Sequence, residues 1–137
     1  MSNNIYASAV CIKDRGVLFL GDSGSGKSDI SLRMIANHGA KLISDDRVDV
    51  QNINNHLIAS APKYIQGLLE VRGVGIIDIH TISQSEINLV VQLTTSSIDR
   101  MPKNSTFEIE GVAIPFIKIN PFEASSTAKV LAALRLL

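Results

Sequence analysis

One stretch limits the folds open to this chain more than any other: "GVLFLGDSGSGKSDI", Gly16 to Ile30. An apolar run reads as a strand, a glycine-rich run follows, and from Ser28 the pattern takes a helical period. Gly21, Gly26, Lys27 and Ser28 fit G-x-x-x-x-G-K-[ST] in that strand–loop–helix context, with Asp22, Ser23, Gly24 and Ser25 between them. Small residues let consecutive backbone N–H groups curl around an oxyanion, and the helix N-terminus adds partial positive charge. Lys27 sets a compact cation against the outer phosphates, and Ser28 offers a hydroxyl to a bridging magnesium. Chance matches to the pattern arise about once in a few hundred chains of this length. A glycine-rich turn that merely caps a helix explains the glycines, but not Lys27 and Ser28.

With 137 residues the chain is predicted to form a single domain spanning 1–137, long enough to bury one core. Apolar residues make up 45% and charged residues 19%, which places it among folding sequences. Thirteen basic residues balance thirteen acidic ones, and no basic stripe interleaves with aromatics, which argues against nucleic acid as a partner. Cys11 has no second cysteine to pair with and sits in an apolar run, as a buried small hydrophobe does. No run reaches the length of a membrane helix and no leader pattern opens the chain, so the expectation is a cytoplasmic, soluble protein.

"YASAVCI" and "GVLFL", joined by "KDRG", predict a hairpin that feeds its second strand into the glycine-rich loop. The helix that follows has a narrow wet stripe of Asp29, Arg33 and Asn37, with Gly39 as its stop. "AKLIS" is the next strand, and "RVDVQNINNHLIAS" a hairpin around an Asn-rich turn. "PKYIQGLLEVRGVG" reads as irregular, "IIDI" and "INLVVQL" as strands, the second central. "TTSSIDRMPKNST" is the most loop-like segment, and "FEIEGVAIPFIKI" a last hairpin near Gly111. In "NPFE", Asn120 as cap, Pro121 at the first helical position and Glu123 reaching back predict a helix over 124–137. The fold class is therefore α/β, a mixed sheet containing a phosphate loop with flanking helices.

Binding phosphates is not chemistry, so the acids decide the reaction. "KLISDDRVD" places Asp45 and Asp46 at a strand end, where adjacent side chains point apart. One can touch a metal or its waters while the other meets the substrate, or Asp45 is a turn former. An aspartate that accepts a hydroxyl proton is the expected complement to a phosphate-holding lysine. Glu70, in "LLEVRGVGIID", becomes a candidate magnesium ligand beside such a loop. Arg72 either stabilises phosphoryl charge or neutralises Glu70. Arg100 is a further cation in a loop, and His38, His56 and His80 lie at no metal-ligand spacing.

Taken together, "GDSGSGKSDISLRMI", "GAKLISDDRVDV" and "LLEVRGVGIIDI" resemble the phosphate loop, double-aspartate segment and signature loop of HPr serine kinase/phosphorylase. The resemblance runs from Gly16 to Ile79 and more weakly to "NPFEASSTAKV", and matches a short form with the catalytic domain alone. It implies a core like that of phosphoenolpyruvate carboxykinase and an ATP- and Mg²⁺-dependent protein-serine kinase. The acceptor it implies is the phosphocarrier protein HPr of the sugar phosphotransferase system, and the assembly is a homo-oligomer, commonly a hexamer. Carried over, Lys27 binds phosphate, Ser28 and Glu70 are magnesium ligands, Asp46 is the catalytic base, and Arg100 a catalytic arginine.

Two departures bear on the reverse, phosphorylase direction. Tyr6 stands where the family usually has a histidine, and a phenol lacks the imidazole's ready proton exchange at neutral pH. The arginine-rich segment tied to dephosphorylation is replaced by "AIPFIKINPF", whose one cation, Lys118, cannot bind phosphate bidentately. The expectation is a kinase with weak or absent phosphorylase activity. The alternatives are a kinase of the same core for another acceptor, or a nucleotide-sensing module with decayed catalysis.

Overall fold

The computed structural model describes residues 2–137. A nine-stranded mixed sheet carries two helices, and a separate two-stranded hairpin packs beside the first helix. β1 (Ser2–Tyr6), β2 (Ser8–Ile12) and β3 (Arg15–Leu20) lead into α1 (Lys27–His38). β4 (Lys41–Ser44), β5 (Arg47–Ile53) and β6 (His56–Ser60) follow, then a single 3-10 turn over Lys63–Ile65. β7 (Leu68–Val71) and β8 (Gly75–Asp78) form the small hairpin, and β9 (Ser85–Leu93), β10 (Ser105–Ile109), β11 (Val112–Ile119) and α2 (Ser126–Arg135) complete the chain.

The predicted hairpins close on two-residue turns whose residues adopt left-handed backbone: Lys13–Asp14, Asn54–Asn55 and Glu110–Gly111. Such turns match the twist of the strands they join. The predicted strand over 6–12 divides at Ala7, because the chain there crosses between two parts of a curled sheet. β1 pairs with β5 and β2 with β4, all antiparallel, so two long strands bend together at Ala7 and at Asp45–Asp46. The Ala7 N–H donates to the Asp46 carbonyl at 3.2 Å across that bend.

β9 is central, as its apolar run predicts. It lies parallel to β3 on one side, and meets β6 and then β11 on the other. Alternation along β3 divides the core: Val17 and Phe19 face the helices with Ile30, Met34, Val91 and Val130, while Leu18 faces the inside of the curl with Ile43, Val50, Val90 and Ile114. Burying a side chain of this kind contributes roughly 1.5–3 kcal/mol.

Two expectations are corrected. Within "PKYIQGLLEVRGVG", Leu68–Val71 is an ordered strand paired with the expected strand at "IIDI" rather than irregular chain, because Gly73 and Gly75 supply the turn and Leu69 buries into the helical-side core. α2 begins at Ser126, and Asn120 caps an isolated turn before it: the Phe122 N–H donates to Asn120 Oδ1 at 3.0 Å. No helix among the described residues is long and apolar enough to cross a membrane.

Candidate functional site

The register fixes where the site lies. β3, β9 and β11 run parallel and finish together, with Leu20 opposite Gln92 and Ile119 opposite Leu93. β2 starts and β4 finishes at that same end, since Ser8 pairs with Phe19 and Ala9 with Ser44. Ser8, the glycine-rich loop, Asp45, Thr94 and Asn120 are thus gathered at one end of the sheet, the carboxyl end of its parallel strands. In open α/β sheets ligands bind at that end.

The loop is shaped by close approach. A Cβ on Gly21 would lie 2.3 Å from Ser25 Oγ, so a larger residue there would displace the Ser25 side chain. Gly26 has φ 101, which an L side chain rarely adopts, and it caps α1. The first helical bond runs from the Ile30 N–H to the Gly26 carbonyl at 2.9 Å, leaving the N–H groups of Lys27, Ser28 and Asp29 without an intrahelical acceptor. Lys27 is 6% exposed, and its Nζ donates to the carbonyls of Gly21 (2.6 Å) and Asp22 (3.1 Å). Among the described residues Ser25 Oγ is the one buried side-chain polar atom with no partner. A spare hydroxyl, free amides and an ammonium in one loop fit an oxyanion.

Beneath the loop, Asp45 gathers three donors. The hydroxyls of Ser28 (2.7 Å) and Ser8 (2.8 Å) donate to its Oδ1, and the Glu70 N–H donates to Oδ2 at 3.3 Å. Asp45 is 6% exposed and Ser8 fully buried. The Ser8 hydroxyl also accepts from the Asp46 N–H at 3.1 Å, so one serine holds both aspartates. Asp46 itself is exposed, with φ 68, a conformation in which Asp is among the better tolerated residues. No group of three or more His, Cys, Asp or Glu converges among the described residues. Ser28 and Asp45 nevertheless present paired hard oxygens, which suit magnesium, an ion that takes one or two carboxylates together with substrate oxygens.

The model of the HPr Serine kinase C-terminal domain matches residues 1–135. This chain belongs to that family. It is 40% identical to HPr kinase/phosphorylase of Lactobacillus acidophilus over 130 residues, 85% of this chain and 40% of that protein. The corresponding protein of Malacoplasma penetrans is 38% identical over 126 residues, 81% of this chain and 42% of that protein. The chain thus spans about two-fifths of the length of the curated relatives it matches. The solved structure of the HPr(Ser) kinase/phosphatase from Coxiella burnetii superposes with a TM-score of 0.85 at 28% identity, covering 98% of this chain and 95% of that one.

Within this domain the two aspartates occupy opposite environments, and Asp45, which accepts three hydrogen bonds, is no mere turn former. Glu70 stands exposed on β7, tied to the site through its backbone rather than its carboxylate. Arg72, in the β7–β8 turn, is exposed and forms no ion pair with Glu70. Arg100 is exposed in the segment that leaves β9 at the site end, where the Thr94 N–H donates to the Ile119 carbonyl at 3.0 Å. His38 meets Thr127 Oγ1 at 3.2 Å, and His56 meets Glu86 at 2.7 Å.

Ser8 escaped the sequence reading. Its partner Asp45 lies 37 residues away, and a serine in an apolar strand carries no local sign of function. A fully buried hydroxyl is the signal that finds it.

Proposed function

We propose that this chain is an ATP- and Mg²⁺-dependent protein-serine kinase acting on an HPr-like phosphocarrier, and thereby a regulator of the sugar phosphotransferase system. The observation that carries the proposal is the Ser28–Asp45 hydrogen bond at the foot of the glycine-rich loop, with the exposed Asp46 one residue on. The loop from Gly21 to Ser28 would hold the donor's phosphates, and Ser28, with Asp45 behind it and Glu70 at the edge, would hold magnesium. Held there, the ion would supply positive charge against the phosphates.

Lys27 keeps its ammonium at the loop through the Gly21 and Asp22 carbonyls, positioned to follow charge on transferring oxygens. Asp46 accepts the proton of the acceptor serine as its oxygen attacks the γ-phosphorus in line; the bond from that phosphorus to the β-phosphate oxygen breaks, and ADP leaves. Asp45 does not take that role in this reading: both its oxygens already accept hydrogen bonds, and it is shut away from an incoming protein. Arg100 adds positive charge from the segment after β9. The reading extends to one catalytic domain over 1–137, a phosphoenolpyruvate carboxykinase-like core, a cytoplasmic location and a homo-oligomer, hexameric by resemblance.

Purified HPr, Mg²⁺ and ATP test the proposal directly. Phosphoserine on HPr that is lost in Asp46→Asn is the expected result. ATP binding without transfer would point to a nucleotide-sensing module instead, and transfer to a different acceptor to another kinase. With Tyr6 and Lys118 where they are, serine-phosphorylated HPr and inorganic phosphate should release little or no pyrophosphate; robust release would contradict that part.

A further inference from the structure

The turn between β11 and α2 is fastened more firmly than an exposed connection requires. Asn120 Oδ1 accepts from the Phe122 N–H at 3.0 Å. Arg33, on α1, reaches across to donate to the Pro121 carbonyl at 2.6 Å and to Ser126 Oγ at 2.5 Å, while its Nε pairs with Asp29 at 3.0 Å. Pro121 is buried against the glycine-rich loop: a Cβ at Gly26 would lie 3.3 Å from its Cβ and Cγ.

What this fastening presents is Phe122. Its Cε1 lies 3.8 Å from that same Cβ position at Gly26, yet the residue is 67% exposed. A phenyl ring left in water forgoes the stabilisation that burial supplies, and here the backbone beneath it is held on both sides. The charge beside it is neutralised, since Glu123 pairs with Lys129 at 2.8 Å. A rigid apolar ring at the lip of a phosphate cradle suits a neutral, flat heteroaromatic group. A nucleotide anchored by its phosphates carries such a group one ribose away.

We propose that Phe122 is the platform on which the base of the nucleotide donor stacks. This rests on the reading of the glycine-rich loop as the phosphate site. It assigns the turn a binding role and makes Arg33 and Asn120 positioning residues for the ring.

The chain contains no tryptophan, so Phe122→Trp creates a sole reporter at the platform. Titrating it with Mg·ATP should change its emission, whereas Mg·tripolyphosphate, which has phosphates and no base, should not. Tripolyphosphate should still compete with ATP in calorimetry. Phe122→Ala should weaken ATP binding about 10- to 100-fold, the range of base–aromatic stacking, and leave tripolyphosphate binding unchanged. Because the ring is mostly exposed, the truncation opens no cavity in the core.

Unchanged ATP affinity in Phe122→Ala, with Lys27→Ala losing binding, would overturn the platform and leave the phosphate site standing. Emission that answers to HPr and not to ATP would also overturn it, giving the ring to the acceptor instead. If the native chain binds neither ATP nor tripolyphosphate, the donor-site reading itself falls and takes the platform with it.

Discussion

The floor of the site and its rim are built on opposite plans. On the floor, Ser8 and Asp45 are buried, and with Ser28 they spend their polar atoms on one another. On the rim, Asp46, Glu70 and Arg72 are exposed, and none of their side chains has a hydrogen-bond or ion-pair partner among the described residues. Buried polar groups that satisfy each other belong to the fold as much as to the chemistry. Rim side chains without partners add little to stability, so what they contribute would be to reaction or recognition. Floor substitutions should therefore lower stability and activity together, and rim substitutions activity alone.

The sharpest break of that comparison sets the neighbouring aspartates against each other. Asp46→Asn keeps a side chain that tolerates left-handed backbone but removes the carboxylate proposed to accept the proton. Phosphorylation of HPr should fall about 10²- to 10⁴-fold, with the urea midpoint of unfolding unmoved. Asp45→Asn should also lower the unfolding free energy, by about 1–3 kcal/mol, because an amide NH₂ replaces one acceptor oxygen facing hydroxyl and amide donors. Should Asp45→Asn abolish transfer at full stability while Asp46→Asn stays active, floor and rim have been assigned the wrong way round.

Ser8→Ala is the next test, and a smaller one. It removes a donor from Asp45 and the acceptor of the Asp46 N–H in one step. The expected cost is about 1–2 kcal/mol in chemical denaturation. Loss of kcat should stay within about 10²-fold, the range for a group that is present but misplaced. A stability loss with kcat untouched would confine Ser8 to the fold.

How much of this was legible follows the distance over which each feature is determined. The strand, loop and first helix are specified by residues within one stretch, and the three tight turns by Asp14, Asn54, Asn55 and Gly111, which tolerate left-handed backbone where they stand. The β7–β8 hairpin was half hidden, because Gly73 and Gly75 read as loop while the burial of Leu69 depends on α1 and the sheet. Asn120, Pro121 and Glu123 spell a helix start, yet Arg33 from α1 holds Pro121 in a turn and the helix begins later. The double aspartate announced a divided role. Which member is buried depends on the bend shared by two strand pairs, and on a serine in another strand.

Tyr6 offers the smallest and most local test, because it borders the rim and, unlike the rim groups, its side chain has a partner. The Arg47 guanidinium carbon sits 3.7 Å above its ring, and Arg47 also donates to Asn4 Oδ1 at 3.3 Å. Tyr6 pairs across β1–β5 with Arg47, directly after Asp46, so the stack lies beside the bend that carries Asp46. Tyr6 is 58% exposed, and a cation–π contact at such a site is worth about 0.5–1 kcal/mol. Tyr6→Leu keeps apolar bulk and removes the ring, so denaturation should register a loss of that size. If the stack steadies Asp46, kcat should fall by no more than about two- to fivefold, the same free energy read as a barrier. A drop a hundredfold larger would mean the phenol itself takes part in the reaction, and the rim would then extend onto β1.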